Sequence, residues 1–142
     1  MIRKLGAYLS AIIVAYLLAA VTATQSVVAR LGEIGIDVDL KERLGMTLHD
    51  IAGMAGMFLP MIAAGLLAAF LVTALLCRWL GRRPVALYVL AGAVALVAIH
   101  LTLKLAFGIT PIAVARTMGG LFIQGLAGAA GGWFYAYTNR WT

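Results

Sequence analysis

The chain is poor in charge. Of its 142 residues only 11% are Asp, Glu, Lys or Arg, and only five are acids. Soluble domains carry about 25% charged residues. The shortfall excludes a soluble globular domain, and it excludes a disordered segment, which stays unfolded through low hydrophobicity and high charge. Cysteine is almost missing. Cys77 stands alone, so a disulfide scaffold and thiol-pair redox chemistry are both excluded. There is no Walker motif, no Rossmann glycine pattern and no HExxH sequence. Asp37, Asp39 and Glu42 lack the glycine and the distant Glu of a calcium loop, so no metal site is expected. No acid lies inside an apolar run away from its ends, which removes the usual carboxylate of a proton-coupled transporter. No nucleophile, base and acid combine into a catalytic set. The chain is therefore expected to be non-enzymatic and to hold no cofactor.

Apolar residues are abundant. They make up 64% of the chain, and the mean hydropathy is +1.04. A membrane-spanning helix needs roughly 20 apolar residues, because about 30 Å of hydrocarbon is crossed at about 1.5 Å per residue. Four runs qualify, at about 5–29, 51–76, 85–108 and 111–136. They predict an all-α integral membrane protein: a single four-helix transmembrane domain over residues 1–142. The first run has a basic start at Arg3 and Lys4, and Val21-Thr22-Ala23 resembles a signal-peptide cleavage site. Apolar character continues past it to Ala29, so the run reads as a retained helix.

Charge sets the orientation. One side carries Arg3, Lys4, Arg78, Arg82, Arg83 and Arg140 with no acid. The other carries Glu33, Asp37, Asp39, Glu42 and Asp50, balanced by Arg30, Lys41, Arg43, Lys104 and Arg116. Cytoplasmic loops hold the excess of Lys and Arg. Both termini are therefore expected to be cytoplasmic, with the loop over residues 30–50 external. The net charge of +6 then reports topology and an anionic inner leaflet, not a nucleic-acid partner. Tyr8, Trp79, Tyr88, Trp133, Tyr135, Tyr137 and Trp141 fall near the basic ends, as an aromatic belt would. The compact design and the dominance of Arg over Lys point to a bacterial inner membrane.

Several local signals mark helix ends. Thr110-Pro111 reads as the start of the fourth helix. Thr47-Leu48-His49-Asp50 fits a capping box before the second span. Asp39-Leu40-Lys41-Glu42 resembles another start, and Leu40, Leu44, Leu48 and Ile51 recur at helical spacing. They predict a short amphipathic helix in the external loop, with Gly45 as its alternative end. Pro60 removes one backbone bond and is expected to kink the second span in its outer third.

Two surfaces could carry function. Lipid is as apolar as Leu, so spans associate through small residues. The fourth span is rich in them: Gly120, Gly125, Gly128 and Gly132 with Ala127 and Ala129, while Ala52 and Gly56 form a small pair in the second. Such residues exceed what one neighbour needs. The leading expectation is a membrane component acting through a homo-oligomer or a larger complex. The other surface is polar. His100 and Lys104 share a face of the third span, and Arg116 is placed about five residues into the fourth. Gln124, Gln25 and Ser26 lie at similar depth. Together they could hold an anionic lipid headgroup or small anion in an outward-facing pocket. The plainer reading is a hydrogen-bonded network, with His100 bonded to Gln25 or Gln124 and Arg116 paired with Asp50. A membrane enzyme or haem protein using His100 is the remaining alternative.

Overall fold

A computed structural model of the chain describes residues 2–81, 85–108 and 112–139. It is all-helical: α1 (Ile2–Glu33), α2 (Leu40–Leu80), α3 (Val85–Phe107), a 3-10 turn (Ala113–Arg116) and α4 (Met118–Asn139). Thr110-Pro111, Arg82, Arg83, Arg140 and Trp141 lie outside the described residues. Among the described residues, α1, α2 and α3 are long and apolar enough to cross a membrane, and α4 is not among them. Its glycines 119, 120, 125, 128, 131 and 132 dilute the apolar side chains.

The elements end where local chemistry stops them. Asp39 caps α2: its carboxylate accepts the Glu42 amide at 2.8 Å, and the Glu42 side chain reaches back to the Asp39 amide. The reciprocal box satisfies two backbone donors that would otherwise be orphaned. At the other end Gly81 takes the left-handed conformation, φ 62°, that closes a helix without Cβ strain. Thr117 caps α4, its hydroxyl accepting the Gly120 amide at 3.0 Å.

These caps correct three expectations. The amphipathic segment at Leu40–Leu48 is not a separate helix but the first turns of α2, which runs unbroken for 41 residues past Gly45 and Pro60. Thr47 begins nothing. Its hydroxyl donates back to the Arg43 carbonyl at 2.8 Å, inside the helix. Arg116 does not ride on the fourth helix. It ends the 3-10 turn, and Thr117 then starts α4 in a new register. The acidic loop shrinks to residues 34–39.

Chain order is also spatial order round a ring. α1 packs on α2, α2 on α3, α3 on α4 and α4 back on α1, with α3 and α4 the closest pair. The interior is lined by Ala11, Ala15 and Ala19 of α1, Phe58, Ile62 and Leu66 of α2, Leu96 of α3 and Ala127 of α4. At the basic end Phe70, Tyr88 and Tyr135 cluster, with ring centroids 4.4–5.7 Å apart. Tyr88 is thus turned inward and is not part of an aromatic belt.

Candidate functional site

The most informative polar group in the interior is Gln124. It is fully buried on α4. Its amide nitrogen donates to the Ala19 carbonyl at 3.0 Å and to the Thr22 hydroxyl at 3.1 Å. A backbone carbonyl can only accept, so the nitrogen must point there and the amide oxygen must point away. That oxygen lies 3.3 Å from His100 Nε2. Nε2 therefore carries the ring proton, and Nδ1 presents a lone pair. His100 is only 2% exposed, and Nδ1 has no partner among the described residues. Phe58 walls the imidazole, with ring centroids 5.6 Å apart, and Tyr16 backs Phe58. Three helices are tied through one amide, which in a low-dielectric interior is costly to leave half made.

The other residues of the predicted constellation go elsewhere. Gln25 donates to the Thr47 hydroxyl at 3.2 Å, and its oxygen accepts from Arg43 Nε. Ser26 donates to the Thr22 carbonyl of its own helix at 2.8 Å. Lys104 and Arg116 are exposed, whereas His100 and Gln124 are buried. His100 and Gln124 are joined directly by a hydrogen bond. Thr24, absent from the predicted set, donates to Asp50 at 2.8 Å between α1 and α2. Near it lies a cavity of about 270 Å³ lined by Ala23, Asp50, Gly53, Phe58 and Ile112. Its charged lining group is a carboxylate, and none of the six predicted ligand residues lines it. The only sequence signal for this arrangement was Asp50 itself.

The small residues divide sharply. The α4 glycines other than Gly119 are consumed inside the chain. A Cβ on Gly128 would fall on the Gly92 carbonyl, one on Gly132 on the Tyr88 carbonyl, and one on Gly120 on the Val114 carbonyl. Gly125 faces Val97 of α3, and Gly131 faces α1, where a Cβ would stand 2.9 Å from the Ala11 carbonyl. The surplus expected in α4 therefore serves α3, α1 and the 3-10 turn of the same chain. Gly53 and Gly56 of α2 are the opposite, with nothing within 4 Å of an added Cβ. Between α2 and α3 a groove of about 690 Å³ runs along the outside of the bundle, from Met61 to Leu76 and from Leu87 to Leu103. Gly65, Ala68 and Ala69 form one wall, and Ala91, Ala95 and Ala98 the other.

No family model, curated protein or solved structure matches the chain. What it can do is read from these side chains alone.

Proposed function

We propose that the chain is a small polytopic protein of a bacterial inner membrane that works by self-association, with a second copy seated along the α2–α3 groove. In this reading all four helices lie in the bilayer and both termini are cytoplasmic. α4 qualifies despite its glycines because its outward side chains, Phe122, Ile123, Leu126 and Trp133, are apolar. Its 22 residues reach about 33 Å at about 1.5 Å per residue, enough for the hydrocarbon core. The bias of Lys and Arg toward one end sets the orientation.

The groove carries the proposal. Lipid offers no hydrophobic drive between spans, so close approach over small residues decides where helices meet. On the outside of this bundle the α2–α3 groove supplies two walls of small residues. The occupant is a second copy because α2 presents both halves of the fit. Beside the hollow at Ala68 and Ala69, Leu67, Leu71 and Leu75 project outward. A two-fold interface needs such a self-complementary patch, since the same surface serves both subunits.

Single-molecule photobleaching of the labelled chain in bilayers tests this. Two bleaching steps are expected for the wild type and one for Ala68→Trp, which fills the hollow. A single step in the wild type overturns self-association, including the case in which another protein occupies the groove. Two steps retained in Ala68→Trp overturn the groove as the interface.

A further inference from the structure

The basic end of the bundle holds a cavity with its own chemistry. It encloses about 300 Å³ and is lined from all four helices: Lys4 of α1, Cys77 and Arg78 of α2, Tyr88 of α3, and Tyr135 and Asn139 of α4. Two cations 74 positions apart in sequence thus open into one space. No Asp or Glu lines it, because all five acids of the chain lie between residues 33 and 50, at the opposite end. The rings of Tyr88 and Tyr135 line it, and Phe70 packs against both of them. Lys4 and Arg78 are both solvent-exposed, so their charges are open to an anion entering the cavity, and with no acid beside them they make its potential positive.

We propose that this cavity binds a phosphate group. Arg78 offers the planar fork that pairs with phosphate oxygens, and Lys4 adds a point charge. Basic pockets between helices at a membrane face suit lipid headgroups. The same chemistry would also take free phosphate. The site is separate from the α2–α3 groove, whose lining is almost wholly apolar. It needs neither self-association nor a particular orientation.

The test uses the full chain, purified in a neutral detergent and challenged with dioleoylphosphatidylglycerol, dioleoylphosphatidylcholine or inorganic phosphate. Binding is read by native mass spectrometry and by the shift in thermal unfolding. Phosphatidylglycerol is expected to bind and to raise the midpoint, and phosphatidylcholine to do neither. The double variant Lys4→Gln/Arg78→Gln should weaken binding about tenfold or more, since it removes two charge-assisted contacts. Lys104→Gln/Arg116→Gln, altered at the other end, should bind as the wild type does. Lys4→Arg/Arg78→Lys should retain binding and so separates lost charge from lost fold. Binding of the lipid alone assigns the site to a headgroup, and equal binding of inorganic phosphate assigns it to the soluble ion. No binding of either, or undiminished binding by Lys4→Gln/Arg78→Gln, overturns the proposal.

Discussion

Helix α3 has two neighbours and meets them differently. Against α4 its backbone touches backbone: Gly92 lies on Gly128, and the Tyr88 carbonyl lies on Gly132. Against α2 it stands off and leaves a groove, with the Ile99 side chain filling the hollow over Gly65. Both interfaces contain small residues. The difference is whether glycine meets a facing backbone carbonyl. Where it does, two helices close to backbone contact and gain dispersion along their length. Where Gly65 meets only the Ile99 side chain, the backbones stay apart and the small residues beside it line the groove. A small-xxx-small pattern therefore does not distinguish an internal seam from an external one. The facing residue decides.

The most damaging way to break the contrast is Gly92→Ala. The new Cβ would fall on the Gly128 carbonyl, and backbone cannot move aside as a side chain can. Overpacking costs typically about 1–3 kcal/mol, and a backbone clash belongs at the top of that range. We expect a loss of about 3 kcal/mol, measured by titrating the folded chain with SDS in mixed micelles. A change below about 1 kcal/mol would show that α3 and α4 are not in backbone contact.

A smaller effect is expected from Gln124→Leu. The substitution keeps volume but removes the acceptor for His100 Nε2 and the donor to Thr22 and Ala19. His100 would then have both ring nitrogens unpaired in the interior. Interhelical hydrogen bonds in membranes are worth about 0.6 kcal/mol on average and up to about 1.7. Because three helices share this amide, we expect about 1.5 kcal/mol in the same titration. The double variant with His100→Phe should recover part of it, since an apolar pair leaves nothing unsatisfied.

How much of this could be read from the sequence depends on the range of each interaction. Asp39 and Glu42 are three apart, and the helix start they make was legible. The partner of His100 was legible only in part: Gln25 and Gln124 were both open by depth, and the structure selects Gln124. The unbroken course of α2 was not legible. Thr47 reads locally as a helix start and Gly45 as a helix end, yet α2 runs through both: Thr47 bonds back to Arg43 and takes a bond from Gln25 of α1. Arg116 was misplaced because a 3-10 turn ends at it, and Thr117 then starts α4 in a new register. The cavity at the basic end was hidden for a different reason. Lys4 and Arg78 share it only because α1 and α2 are neighbours in the ring, and no local pattern states which helices adjoin.

The sharpest test of the contrast is the one with the smallest expected effect. Gly65→Ala makes the same chemical change as Gly92→Ala, on the other side of α3. Its Cβ would lie 2.7 Å from Ile99 Cδ1, too close to be left alone. The obstacle is the end of a flexible side chain bordering an open groove, so Ile99 can rotate into that space. Gly53→Ala completes the series, with nothing within 4 Å to meet. Replacing a mid-helix Gly by Ala stabilises a helix by up to about 1 kcal/mol where space allows. We expect Gly53→Ala to be neutral or stabilising by about 0.5 kcal/mol. Gly65→Ala should fall within about 0.5 kcal/mol of zero, its helix gain offset by the displaced Ile99. A loss at Gly65 as large as that at Gly92 would mean that α2 and α3 are as tightly closed as α3 and α4. The groove would then have no room for a second helix.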